Sequence, residues 1–370
     1  MILLTIIVFI AVLGLLVFVH EFGHFIMAKR AGMKVEEFGF GFPPRIFGIR
    51  RGATLYSINW IPLGGFVKIL GEDGSDTQDP ASFGQKSAWR RFAVLIAGVT
   101  MNLILAWVLL SIAMGLGTPT VLYEGDQLPA SAHVKSTAIG ILDVAPNSPA
   151  AIADLRPGDT LAMIGSEPVA SIDDAQQLTL SHAGNPTVFE IRRGDNTIDK
   201  TITPRADPPP GEGSLGIALG AIARVSYPWY ELPYRGLIAA ANMTWLTLSA
   251  FGGLLSQLFH GHSVADALSG PVGIAVLTGD VVQLGWVYLI QFTAVLSINL
   301  AFLNVLPFPA LDGGRILFLI IEKIRRRKLP VNAEQTANAI GFLLLITLMI
   351  FVTVKDFGRF DIIHKVRNLF

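Results

Sequence analysis

Cysteine is absent from this 370-residue chain. That excludes a disulfide framework, a thiol nucleophile and any cysteine-ligated metal site. Charge is scarce as well: 15% of residues are charged, against about 25% in ordinary soluble domains. The 28 basic and 28 acidic residues cancel, so no basic excess points to nucleic acid as a partner. With 52% hydrophobic residues, the chain is neither disordered nor simply soluble, and a membrane protein is the first reading.

The charges avoid four stretches. Residues 1–28 hold only Glu21, 92–115 hold none, 284–312 hold only Asp312, and 339–354 hold none. Each approaches the ~20 apolar residues that a helix needs to cross a bilayer. In lipid the backbone must satisfy its own hydrogen bonds, so these stretches read as four transmembrane helices. Residues 29–91 carry 10 Lys/Arg against 6 Asp/Glu, and 313–338 carry 6 against 2. Short basic loops stay on the inner side. Residues 116–283 carry 8 against 16 and are placed outside, as are both termini. The tail at 355–370, with Lys355, Arg359, Lys365 and Arg367, is expected on lipid headgroups. No basic residue precedes the first apolar run and no small-residue cleavage site follows it, so it is retained rather than a signal peptide. Residues 237–259 are uncharged and long enough for a fifth span. They are expected instead to form a surface-lying, re-entrant or broken helix, for a reason that comes from the metal ligands.

Residues 20–24 read HEFGH. Positions i and i+4 share a helix face, so His20 and His24 can reach one ion while Glu21 projects nearby as a base for water. An ionisable residue in an apolar span is costly and marks function. A catalytic zinc takes three protein ligands and keeps one position open. His133 and His182 lie in the outer block, His260 and His262 follow the ambiguous segment, and His364 is in the tail. Asp312, the other acid among the apolar stretches, is the better third ligand. His20 lies ~27 Å along its helix, near the inner end. Asp312 ends the 284–312 stretch on the same side only if 237–259 does not cross. Around it runs Asn304-Val-Leu-Pro307-Phe-Pro309-Ala-Leu-Asp312-Gly-Gly. Its two prolines break the helix, and irregular backbone at this depth belongs inside protein or beside water. Asn304 is then placed to hydrogen-bond a substrate or a developing oxyanion.

With these motifs the chain resembles the site-2 protease family of intramembrane zinc metalloproteases, in its bacterial, RseP-like branch. The likeness rests on HEFGH at 20–24, GFGFPP at 39–44, PLGGFVKILGED at 62–73, SGPVGI at 269–274 and ALDGG at 310–314, in the family's order. The resemblance implies one Zn2+ held by His20, His24 and Asp312, with Glu21 as general base. It implies a membrane-associated β-hairpin on the inner side, around 55–70, that pairs with an extended substrate. It also implies a bacterial inner-membrane location. The implied substrates are single-span membrane proteins already trimmed outside, such as an anti-sigma factor, or remnant signal peptides. The oligomeric state is not implied.

Residues 118–205 have soluble-domain composition, with β-like runs at 187–191 and 196–202 between turn residues. The run ILDVAPNSPAAIADLRPGDTLAMIGSEPV at 141–169 resembles a PDZ domain. Well-known family members carry two such domains, whereas this block has room for about one. In that reading 171–180 is the helix lining a peptide groove, capped by Ser171 or Asp173. Ala138, Ile139, Gly140 and Ile141 would be the carboxylate-binding loop, and a peptide or C-terminus would add a strand to the sheet edge. Residues 206–213 read as a Pro-rich linker, opening a 206–283 segment of linker and amphipathic or re-entrant helix that includes 237–259; 313–338 reads as a basic loop. The expected whole is a polytopic α-helical membrane protein with an inserted β-rich domain outside, acting as an intramembrane zinc endopeptidase. A non-proteolytic membrane PDZ scaffold with a structural or vestigial metal site is the alternative, disfavoured because a structural site needs no base such as Glu21. An ion transporter predicts paired polar residues across several spans, and only two acids are embedded here.

Overall fold

The computed structural model describes residues 2–74, 78–122, 128–194, 196–262 and 269–359. They form two compact units. One comprises Met1–Leu109, Leu237–Gly279 and Phe292–Phe370, the other Leu110–Gly236 and Asp280–Gln291. Helix α1 (Ile2–Arg30) opens the chain, strands β1 (Val35–Arg51) and β2 (Thr54–Ile69) follow, and helix α2 (Ala88–Leu116) returns. A sheet region comes next: β3 (Thr118–Leu122), β4 (His133–Val144), α3 (Pro149–Ile152), β5 (Thr160–Ile164), β6 (Glu167–Pro168), α4 (Ile172–Ser181), β7 (Thr187–Arg193), β8 (Asn196–Ile202) and β9 (Ile217–Ser226). The chain ends in α5 (Leu232–Phe259), α6 (Pro271–Leu284), α7 (Trp286–Val305), α8 (Asp312–Arg325) and α9 (Val331–Arg359).

Among the described residues five helices, not four, are long and apolar enough to cross a membrane: α1, α2, α5, α7 and α9. Residues 237–259 lie within one unbroken 28-residue helix, α5, so of the surface-lying, re-entrant or broken alternatives the broken one is corrected. The inference that a crossing here would carry Asp312 to the wrong side assumed that successive apolar helices alternate in direction. Where α5 and α7 touch, they run parallel. Thr247 Oγ1 donates to Asn299 Oδ1, and the Phe251 and Phe302 rings pack at 4.4 Å, so both numbers rise together. Helix α6 lies between them in sequence, and its start is fastened to the end of α9. The buried Asp356 carboxylate accepts from Gly270 N–H at 2.9 Å and Gly273 N–H at 2.8 Å, which satisfies donors that a helix N-terminus otherwise leaves open.

Residues 284–312 divide where the two prolines were expected to break the helix: α7 stops at Val305 ahead of Pro307 and α8 begins at Asp312. One further segment differs from expectation. Residues 313–338 are not simply a loop, since α8 runs on to Arg325. Residues 360–370, with Lys365 and Arg367, lie outside the described residues.

The β1–β2 register has two parts. Phe40↔Gly65 and Phe38↔Val67 pair antiparallel, as do Arg51↔Thr54 and Gly48↔Ser57. In addition Glu37–Phe40 faces Leu55–Ile58 with both numbers rising. The two long strands therefore bend into four segments, ordered 45–51, 54–59, 35–40 and 65–69, with 65–69 at an edge. Phe42, Phe47, Ile49, Trp60 and Ile61 stay exposed on this sheet, the composition of a surface that meets lipid or an apolar partner.

In the second unit the strand order is β3-β9-β4-β5-β7-β8, with β6 on β5. Ile139, Ile141, Leu161, Ile164, Phe189 and Ile191 form its core. Arg193 points inward on β7 and grips the fully buried Asp159 carboxylate through Nε and Nη2, both at 2.7 Å. This bidentate pairing is the main cause that raises the arginine's pKa above its ordinary value. The sheet runs past residue 205, the expected boundary. Strand β9 pairs with both β3 and β4, so Ile217–Ser226 belongs to this unit rather than to a linker.

Candidate metal centre

The HEFGH segment sits within α1, where i,i+4 spacing stacks His20 and His24 on one face. Both imidazoles are buried. Asp312 comes from far along the chain, and the turn before it explains its position. The 306–311 connection is pinned where Asn338 of α9 accepts from the Ala310 N–H at 3.0 Å, with Ala310 at φ 75°. Helix α8 then starts so close to this connection that a Cβ on Gly313 would lie 2.2 Å from the carbonyl oxygens of Val305 and Leu306.

This brings three donor atoms together. Asp312 Oδ2 lies 3.1 Å from His20 Nε2 and 3.2 Å from His24 Nε2, and the two Nε2 atoms are 3.2 Å apart. Tetrahedral ligands about 2.0–2.1 Å from one zinc ion stand about 3.3 Å from each other. The triangle therefore has the size of one face of a zinc site. Asp312 Oδ2 is buried, yet lacks a hydrogen bond of acceptable geometry, which is costly for an anion unless a cation answers it. Helix α2 leaves the space. A Cβ on Gly98 would sit 2.4 Å from His24 Nε2 and 2.8 Å from His20 Nε2, so only glycine keeps this cradle open. Gly23 on α1 backs onto the Ala97 carbonyl just as closely, the small-residue contact through which membrane helices approach.

The partners of the far ring nitrogens complete the site. His24 Nδ1 donates to the Val94 carbonyl at 2.8 Å, which leaves Nε2 free as a ligand. His20 Nδ1 faces the side-chain amide of Asn102 at 3.2 Å. Glu21 Oε2 accepts from the Val67 N–H at 3.1 Å. The edge segment 65–69 of β2 therefore runs beside the acid next to the ligands. Further out, Arg315 pairs with Glu72, and Arg91 with Glu322 at 2.9 Å.

Asn304 lies half-buried in the last turn of α7. Among the described residues its side chain makes no hydrogen bond to His20, His24 or Asp312. The expected carboxylate-binding loop at 138–141 is corrected. Ala138, Ile139, Gly140 and Ile141 lie within β4, where β9 pairs with all four and β5 with Ile139 and Gly140, so their backbone is committed to the ladder. A groove does occur elsewhere in that unit. A cavity of about 360 Å³ lies between α4 and the start of β9, lined by Ile172, Ala175, Thr179, Ser214, Leu215 and Ile217. Ser171 caps α4 by accepting from the Asp174 N–H.

Sequence reasoning missed Gly98, Asn102 and Asn338. Asn102 had a visible signal, being a hydrogen-bonding side chain within the charge-free stretch 92–115. Counting charges passes over a neutral amide.

The family model for Peptidase family M50 matches residues 8–348. A Clostridium perfringens protein with a zinc metalloprotease name is 35% identical over 344 residues, covering 92% of this chain and 95% of its own. A Clostridium acetobutylicum protein named in the same way is 32% identical, covering 95% and 97%. Zinc metalloprotease RasP of Geobacillus kaustophilus is 30% identical, covering 96% and 98%.

Proposed function

The chain belongs to peptidase family M50, and on that premise we propose that it is a site-2-type zinc endopeptidase that hydrolyses peptide bonds within transmembrane segments. The observation that carries this reading is the buried triangle of His20 Nε2, His24 Nε2 and Asp312 Oδ2 beside a glutamate. The donor set of two imidazoles and one carboxylate, the orphaned Asp312 oxygen and the cradle at Gly98 all fit zinc. When bound, zinc supplies Lewis acidity and brings the pKa of water toward ~7, as peptide hydrolysis at neutral pH requires.

The residues then divide the work. His20, His24 and Asp312 would hold the ion among the helices. Glu21 takes the proton of the attacking water and passes it to the leaving amine, a transfer that typically contributes about 10²–10⁴ in rate. Its bond to Val67 N–H fixes the carboxylate and ties it to the edge segment 65–69. A substrate helix hides its carbonyls in its own hydrogen bonds. Pairing with that edge as an added strand holds the unwound segment extended beside Glu21. Asn304, near the proline-broken connection, serves the substrate carbonyl or the oxyanion.

Single-span membrane proteins trimmed outside, such as anti-sigma factors, or remnant signal peptides are the substrates this reading favours. The second unit acts as a single PDZ-type domain on the outer face of a bacterial inner membrane, as a size filter or sensor. Its peptide groove is the α4–β9 cavity, and Ser214-Leu215-Gly216-Ile217 takes the carboxylate role first expected of 138–141. The buried Ser214 Oγ, without a hydrogen-bond partner among the described residues, supports this placement. The basic segments at 29–91 and 313–338 favour an inner-side location for the hairpin.

The test uses purified enzyme and a tagged single-span substrate. Glu21→Gln should reduce cleavage by about 10² or more while zinc stays bound. Undiminished cleavage would exclude the mechanism.

A further inference from the structure

We propose that Asn102 is a positioning residue for His20. Through Oδ1 it accepts a hydrogen bond from His20 Nδ1–H, holding the ring with Nε2 free for the ion. This rests on the metal-centre reading above and extends it to a residue that touches neither ion nor substrate.

The argument starts from an asymmetry between the two histidines. Both point Nε2 into the triangle with Asp312. An imidazole that offers a lone pair at Nε2 carries its proton at Nδ1, and that proton needs an acceptor. For His24 the acceptor is the Val94 carbonyl, a backbone group with fixed direction. For His20 Nδ1 the partner among the described residues is the Asn102 side chain, whose Nδ2 lies 3.2 Å away. Asn102 is fully buried, and its Oδ1 has no hydrogen-bond partner among the described residues. An amide nitrogen suits His20 Nδ1 only while that atom accepts, which is the tautomer with its proton at Nε2. Once Nε2 serves the ion, two N–H donors would face each other while an acceptor stood idle beside them.

Rotation of the amide by about 180° resolves this without changing the shape of the side chain, because amide oxygen and nitrogen are nearly isosteric. The orphaned Oδ1 then takes the His20 proton. The backbone at this position is already pinned, since the buried Ser297 Oγ of α7 donates to the Asn102 carbonyl at 2.8 Å. The amide is thus delivered to His20 by a second helix contact and is free only to turn.

The measurement is zinc affinity of the full-length protein in detergent, by chelator competition. Asn102→Leu, which keeps the volume and removes the acceptor, should weaken zinc binding by about 10–100-fold, the usual cost of losing an outer-sphere partner. Asn102→Asp, an acceptor only, should restore affinity to wild-type level or better. Ser297→Ala, which loosens the same helix contact, should leave affinity within about threefold. ¹⁵N-histidine NMR of the zinc-loaded protein provides a reading independent of affinity. A hydrogen-bonded Nδ1–H of His20 should be present in the wild type and lost or shifted upfield in Asn102→Leu. Unchanged affinity and an unchanged His20 signal in Asn102→Leu overturn the proposal. So does an Asn102→Asp variant that is folded yet as weak as the leucine variant. If Asp312→Ala abolishes zinc binding while Asn102→Leu does not, only the role of Asn102 falls. If Asp312→Ala also keeps full zinc, the metal-centre reading itself fails.

Discussion

A single methyl group at position 98 should weaken the metal centre's hold on zinc. In the structure a Cβ there would lie 2.4 Å from His24 Nε2, 2.7 Å from His20 Cε1 and 2.8 Å from His20 Nε2. Ordinary contact needs about 3.5–4.0 Å, so the overlap is about 1 Å against two rings at once. Relief requires α2 to retreat or both imidazoles to turn. Retreat is opposed by the close packing of Gly23 on Ala97. Turning is opposed by the His24–Val94 bond. Overpacking of this kind costs about 1–3 kcal/mol, which at 1.4 kcal/mol per decade is roughly a 5- to 150-fold loss. The loss should fall on zinc affinity, because the ligands are what must move. The assay is zinc affinity by chelator competition beside thermal unfolding, with Gly252→Ala as control. Gly252 lies in α5 with nothing within 4 Å of its Cβ position, so that variant should be neutral or up to about 1 kcal/mol more stable. A Gly98→Ala protein that binds zinc as tightly as wild type and cleaves at the same rate would refute the reasoning.

Other expectations follow from contacts already described. Val67→Pro removes the N–H that fixes Glu21 and disrupts the edge beside it. Cleavage should fall at least tenfold while zinc content, measured by metal analysis, stays at wild-type level. Asp356→Ala strands the N–H groups of Gly270 and Gly273 in a buried place. At about 1–3 kcal/mol for a buried unsatisfied group, the thermal unfolding midpoint should drop measurably, and Asp356→Asn should recover part of it. Arg193→Ala leaves the fully buried Asp159 carboxylate unpaired at about 3–5 kcal/mol. Limited proteolysis should then open the sheet region before the helices.

The parts that were legible and those that were not differ in physical kind. Long charge-free runs locate α1, α2 and α9 because lipid admits few charges, and HEFGH is visible because i,i+4 spacing is local. The pairing of these histidines with Asp312 spans nearly the whole chain, yet it was accessible to reasoning because two lone acids in apolar stretches need a common purpose. For α5 the argument from Asp312 did not hold, because sequence order does not determine whether neighbouring helices run parallel, as α5 and α7 do. Strand β9 was lost because the Pro-Gly-rich stretch before it resembles the end of a domain, although it only loops back to a sheet. The Ala-Ile-Gly-Ile run at 138–141 and the Ser-Leu-Gly-Ile run at 214–217 share a small-apolar-Gly-apolar pattern. Only pairing in the sheet shows that the first copy is committed to the ladder and the second borders a groove. Asn102 and Asn338 escaped because uncharged amides leave no trace in charge patterning, although the first is buried and the second half-buried.

Metal analysis of the purified full-length protein beside its His24→Ala and Asp312→Ala variants addresses the central claim most directly. The wild type should carry one zinc per chain, and each variant, still folded by circular dichroism, should lose it together with cleavage. Stoichiometric zinc retained in both variants would mean that the ion is held elsewhere, and the reading of the buried triangle would be wrong.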